Sequence, residues 1–483
     1  MTTPRSNSLV QSAVDYAVYA TYWTENWLRI GAMAARRGPF RLPGELRRFP
    51  WMREILKANN LLRMMVRSRT GPYAEANAIV VGAIVAGILD QVAALLARPG
   101  ETVLHEDLVP PEILYGMGLN PWMAEFLGIV LPLIETRVME HYIDVSENHG
   151  VPPDVCSLPK STMGLVLENE MPVPAAIITS NMPCDGGMSQ YTLIQQRMNV
   201  PVFRLDVPFN FYNDRAVDYF VNELRDLILW LEEHTPGRMD WDRMRAVCEE
   251  RNRYVELELD LWDQLRARPA PMAAEPVYLS HLMYGIAQPA NARGVQALQR
   301  VVHIARTLRD KGQGALPEER FRTVLWNPPT LIFPELFPWA EQAYGVAMIM
   351  DMLTFHRHPF IDTRTPETML RGLAQVIMQG PMARHTRGPA ENFFGDLMYI
   401  YEHFGLDMIW MAGHIGCKNT QALNGMFREK CRARGIPLLI IDYDLSDTRI
   451  VPPGGIRRQV EQFMETVMKA DRLDADGTVH GRI

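Results

Sequence analysis

Apolar and aromatic positions recur at helical spacing through residues 13–34, and this periodicity predicts a helical start to the chain. Pro39, Pro43 and Pro50 predict breaks that cut the region into short pieces. The most apolar run, residues 78–89, stops at Asp90. A membrane span needs about 20 residues, so a buried core helix is the expected form. From about residue 100 the pattern changes to short β-branched runs separated by helical stretches. Strands are predicted at 102–107, 175–180 and 202–207. Amphipathic helices follow at 217–233 and 239–265, and strand patterns resume at 323–326, 346–350, 408–411 and 438–441.

Strands alternating with helices indicate parallel βαβ units. The expected fold is α/β, with two Rossmann-like parallel-sheet units. A helical N-terminal region (1–100) precedes the first unit (101–214), a helical connecting region (215–320) follows, and the second unit spans 321–470. A polar tail covers 471–483.

Composition narrows the class. The 483 residues are 47% hydrophobic and 22% charged, an ordinary globular balance. The net charge of −7 and the lack of a basic tract argue against a nucleic-acid partner. The N-terminus has no charged-then-apolar leader pattern, so a cytoplasmic protein without a membrane partner is expected.

Five cysteines, an odd number, do not suggest a disulfide framework. Cys184 and Cys417 each follow a predicted strand, where open parallel sheets bind ligands. Cys156 falls at a predicted helix start, where backbone N–H groups favour a thiolate. Cys248 and Cys431 lie inside helical patterns and read as packing residues. Three thiolates cannot close a structural zinc site, but they can hold three irons of a four-iron cluster. The intervals of 28 and 233 residues are long, and on spacing alone three structural cysteines remain an equal alternative.

The flanking residues carry more information. They include 109–118 with Pro121, Asp154-Val155-Cys156-Ser157, Pro183-Cys184-Asp185-Gly186, the run 200–208, and His414-Ile415-Gly416-Cys417-Lys418. Gly435, Pro437, Asp442, Asp444, Asp447 and Arg449 continue the pattern into a last helix. Over roughly residues 100–465 the chain resembles the 2-hydroxyacyl-CoA dehydratase family, which also contains benzoyl-CoA reductase subunits and double-cubane-cluster proteins. The resemblance implies a [4Fe-4S] cluster on Cys156, Cys184 and Cys417, and an acyl-CoA substrate. It implies a lyase reaction in which one electron makes a ketyl radical at the thioester, and water leaves from the 2-hydroxyacyl group. The electron comes from a separate ATP-hydrolysing iron–sulfur activator, and a homologous subunit or a second copy completes the assembly. Ring reduction of an aromatic acyl-CoA, or non-catalytic electron transfer, are the alternatives. No phosphate-binding loop of the G-x-x-x-x-G-K-[ST] type occurs, so the ATP step is assigned to the partner.

Two further residues are candidate catalytic groups. Glu112 is expected near the end of the first strand, as acid or base, or simply as a first-turn glutamate. His414 is expected to hydrogen-bond a cluster sulfur or the substrate, or to be satisfied by backbone. Lys160 and Lys418 read as solvated lysines, or as counter-charges to the cluster or to CoA phosphates. The aspartates 442, 444 and 447 read as turn and cap residues, and His356 and His358 as part of a surface loop. Gly116-Met117-Gly118 reads as a helix end.

Overall fold

A computed structural model describes residues 9–208, 212–287, 292–326, 330–353, 355–386 and 388–473. The predicted polar tail lies outside these residues from position 474 onward.

Two four-stranded sheets form, and every strand pair is parallel. The first is ordered β2-β1-β3-β4, from β1 (Thr102–His105), β2 (Asn120–Met123), β3 (Ala176–Ser180) and β4 (Val202–Leu205). The second repeats that order as β6-β5-β7-β8, from β5 (Phe321–Trp326), β6 (Val346–Asp351), β7 (Ile409–His414) and β8 (Leu438–Tyr443). The strands β1, β3, β6 and β7 are buried along their whole length. They are covered on both faces, as parallel sheets require. Each sheet reverses its strand order between its first and third strands, the crevice where such sheets hold ligands.

Two elements differ from the sequence pattern. β2 is an added strand that contains Pro121. Proline cannot donate to a ladder, and this strand sits at the sheet edge, where that is tolerated. The N-terminal region breaks at Gly38-Pro39 (φ 73°, ψ 161° at Gly38) and around Pro50, after which the helices Met52–Ile55 and Asn59–Arg67 follow, while Pro43 lies within the helix Leu9–Arg48. The bend comes immediately before Pro39, which therefore opens a new helical segment where its missing N–H is harmless.

The apolar run expands into the helix Gly71–Ala97. By length and composition it would cross a membrane, yet 83% of its apolar window is buried inside the protein. The helices Leu9–Arg48, Asn59–Arg67, Glu275–Leu282 and Ala292–Asp310 pack around it. A buried ion cluster fastens this bundle to the rest of the chain. Arg69 Nη2 lies 2.6 Å from Glu275 Oε2, and Arg69 Nε lies 3.0 Å from Glu341 Oε2. The Tyr73 hydroxyl lies 2.9 Å from Glu341 Oε1.

The helix Ser157–Leu167, which begins directly after Cys156, is held by a close approach at Gly164. A Cβ at that position would stand 2.0 Å from the backbone oxygen of Tyr142. Gly164→Val is therefore expected to lose about 1–3 kcal/mol or more. Urea unfolding measures this, and wild-type stability in the variant would contradict the packing described.

Candidate functional site

Cys156, Cys184 and Cys417 each occupy the cap position at the start of a helix, respectively Ser157–Leu167, Asp185–Met198 and Lys418–Ala433. Cys184 and Cys417 take matching places, each following the third strand of its own sheet. Three contacts stitch the cysteine-bearing loops together. Asn419 Nδ2 donates to the Pro183 carbonyl at 3.2 Å, and Lys418 Nζ meets Asp154 Oδ2 at 3.1 Å. His414 Nε2, at the end of β7, lies 3.1 Å from Cys156 Sγ. Gly416 permits this closeness, because a Cβ there would fall 2.8 Å from Cys156 Cα. Cysteines hundreds of residues apart in sequence thus meet at one crevice.

The electrostatics reverse one expectation. Burial pushes the Cys156 thiol well above its usual range, and the neighbouring Cys417, Asp444 and Cys184 push it further. The helix start at Cys156 does not outweigh these effects. Burial also raises Cys184, partly offset by the Gly187 N–H, 3.4 Å from its sulfur. Both shifts favour the neutral thiol at Cys156 and Cys184, a preference that a bound metal would invert. Among the described residues no three His, Cys, Asp or Glu side chains are close enough to hold a single metal ion. The set is too open for one ion, yet its thiols lie within electrostatic reach of one another. The buried Ser157 hydroxyl beside Cys156 has no hydrogen-bond partner. This donor set fits a multi-metal cluster, whose irons stand apart.

The other predicted residues separate. Glu112 lies not at a strand end but in the first turn of the helix Pro111–Gly116, 3.6 Å from Arg251 Nε, and it does not join the cysteines. Burial raises its carboxyl, against the pull of Arg251. Lys160 is buried rather than solvated, bonded to Glu147 Oε1 at 2.7 Å and to the Pro153 carbonyl at 2.9 Å. Lys418 is exposed and paired with Asp154. Asp444 caps the N–H groups of Ser446 and Asp447, and its Oδ2 lies 3.6 Å from His414 Nδ1. Asp447 holds Arg449, and the Asp442 N–H donates to Gln459. Cys248 and Cys431 are buried packing residues. Gly118 has φ 75° just past the end of the Pro111–Gly116 helix.

His356 and His358 are half-buried on the loop that follows β6. Both line a cavity of about 180 Å³ between the carboxyl edges of the two sheets. His105 and Met123 close it from the first sheet, and residues 355–358 from the second. His356 Nε2 bonds Glu258 Oε2 at 2.7 Å and stacks on Trp262.

A group of acids beside the cysteines was not singled out from sequence. Ser180 Oγ donates to Glu106 Oε1 at 2.6 Å, joining the ends of β1 and β3. Glu125 accepts from Gln190. Burial pushes Glu125 up to about 7 and Glu106 well above its usual range, whereas Asp107 is exposed. The run His105-Glu106-Asp107 at the end of a predicted strand was the available signal.

Comparison with known proteins now bears on this site. Residues 108–467 match the family described as 2-hydroxyglutaryl-CoA dehydratase, D-component. The chain belongs to this family. The match spans all three clustered cysteines, β2–β8 and most of the cavity lining, and leaves the helices of the first hundred residues outside. One relative is the alpha subunit of (R)-2-hydroxyglutaryl-CoA dehydratase from Acidaminococcus fermentans. It is 32% identical over 104 residues, which are 21% of this chain and 22% of the relative. Another is lactoyl-CoA dehydratase subunit alpha from Anaerotignum propionicum, 24% identical over 209 residues, 38% of this chain and 49% of the relative. The chain thus spans less than half the length of either relative. As a member of the D-component family it is related to dehydratase subunits, and both relatives are named as subunits of larger enzymes.

Proposed function

We propose that the chain is the [4Fe-4S] subunit of a 2-hydroxyacyl-CoA dehydratase, a lyase that acts with a partner subunit and an ATP-hydrolysing activator. One observation carries the reading: Cys156, Cys184 and Cys417 gather at three helix starts in the crevice between two sheets. These residues would hold the cluster. When bound, it supplies electron transfer and an iron open to a substrate oxygen.

The chain's own residues have distinct tasks. His414 holds Cys156 through its 3.1 Å contact and is itself backed by Asp444. Glu106 is buried and Glu125 half-buried, and Glu125 lies within electrostatic reach of Cys184. The value near 7 for Glu125 suits a group that takes and returns a proton at neutral pH. The β-proton of an unmodified thioester is too weak an acid for such groups. One-electron reduction to a ketyl radical, and loss of the 2-hydroxyl, makes that proton accessible to them. Glu112, set among Arg251 and the cavity wall, has a binding rather than a proton-transfer position.

Anaerobic turnover with the activator tests the proposal. Dehydration that consumes no net reductant, with ATP needed only to start it, is expected. Stoichiometric consumption of reductant with an aromatic acyl-CoA would replace the dehydratase reading with the ring-reducing one. No reaction with any acyl-CoA would leave a non-catalytic electron carrier.

A further inference from the structure

Charge is not spread evenly along the chain. Residues 9–67 carry ten lysines and arginines against four aspartates and glutamates, whereas the whole chain carries 49 against 56. This basic part lies before residue 108, where the family match begins, and the proposed reaction gives it no task. Its arginines concentrate on the helical segment that follows the break at Gly38. There Phe40, Gly44 and Arg47 fall at i, i+4 and i+7 and share a face, with Arg48 beside them. Phe40 is 95% exposed. A Cβ at Gly44 would meet no atom within 4 Å, so this face looks into open space. Leu46 and Phe49, on the other side of the segment, pack against the core.

Little neutralises the arginines around Phe40. Arg36, Arg41, Arg47 and Arg48 are all exposed, and among the described residues none of the four forms an ion pair. The single carboxylate within residues 36–48, on Glu45, is taken by Arg37 at 2.9 Å. Two more apolar side chains stand out from the preceding helical segment, Trp27 at 46% exposure and Leu28 at 69%.

Different partners would meet this combination differently. A second copy offering the same face would set arginine against arginine. A protein partner usually covers a contiguous apolar centre with charges at its rim, whereas Phe40 stands alone among arginines. A nucleic acid would take up the arginines and gain nothing from Leu28. An anionic bilayer takes up both, because an aromatic ring enters the headgroup–acyl boundary while the guanidinium groups stay among the phosphates.

We propose that the face around Phe40 docks reversibly on membranes of anionic phospholipid. Arg36, Arg41, Arg47 and Arg48 meet lipid phosphates, and Phe40 enters the acyl boundary. Docking of this kind needs neither a leader nor a spanning helix, the two features whose absence led to the expectation of no membrane partner. The apolar helix Gly71–Ala97 stays in the core.

Co-sedimentation of the full chain with lipid vesicles, on protein purified without oxygen, tests the proposal. Vesicles of phosphatidylcholine with phosphatidylglycerol are expected to bind the protein at least ~10-fold more tightly than phosphatidylcholine alone, and the difference should shrink as salt rises. The triple variant Arg41→Gln/Arg47→Gln/Arg48→Gln should lose that preference. Phe40→Ser should weaken binding to the anionic vesicles by ~3-fold or more and keep the salt dependence. Arg432→Gln, at an exposed arginine on the helix Lys418–Ala433, should change neither. Every altered side chain is exposed, and circular dichroism checks that each variant keeps its fold. Equal binding to the two kinds of vesicle, or full binding by the triple variant, overturns the proposal. Tighter binding to single-stranded RNA than to anionic vesicles also overturns it, as does a dimer that dissociates in Phe40→Ser.

Discussion

Arg69→Met is expected to destabilise the protein by about 3–5 kcal/mol, the cost of removing one partner from a buried ion cluster. Arg69, Glu275 and Glu341 are all buried, and the guanidinium serves both carboxylates. One cation does not keep two buried carboxylates fully ionised. Burial raises both, and it carries Glu341 up to about 8 even beside Arg69. A raised acid contributes stability that is present below its unfolded value near 4.5 and is lost as pH climbs through the folded value. Removing Arg69 raises both carboxyls further, so the deficit of Arg69→Met should widen as pH rises through the wild-type folded values, which for Glu341 means through about 8. Urea unfolding at several pH values measures it. A deficit that narrows with rising pH would contradict this account. The effect is structural, since the cluster ties the N-terminal bundle to both the connecting region and the second unit.

The largest functional effect is expected at the clustered cysteines. Cys417→Ser should abolish dehydration, whereas Cys431→Ser, on the same helix, should keep near-wild-type rates. Cys417 caps the helix Lys418–Ala433 at the crevice, and Cys431 is packed near its other end. The comparison keeps the element and the substitution constant and changes only position. Initial rates with the activator decide it, and equal losses in both variants would show that the helix, not the thiol, was at fault.

Much of this fold was legible because its signals are local. Seven of the eight strands are short apolar runs, recognisable from the residues themselves. β2 was not, because a four-residue run containing Pro121 has no strand pattern and exists only by pairing with β1. The break before Pro39 was legible from the proline, whereas Pro43 gave no sign that the helix runs on past it to Arg48. Cys156, Cys184 and Cys417 were legible through their flanking residues, while their convergence depends on long-range contacts such as Asn419 with Pro183. Burial was the least legible property. Lys160 reads as solvated and is enclosed, and His356 and His358 read as surface residues and line a cavity. Those outcomes depend on helices far away in sequence, such as Trp241–Leu265, which supplies Arg251 and Glu258 to the same wall.

The central claim is that Cys156, Cys184 and Cys417 hold one cluster. Iron and acid-labile sulfide per chain, measured on protein purified without oxygen, test it most directly. The account predicts about four of each in the wild type and in Cys248→Ser, and their loss in Cys156→Ser, Cys184→Ser and Cys417→Ser. Iron that survives in all three variants, or a wild type that binds none under reconstituting conditions, would contradict it.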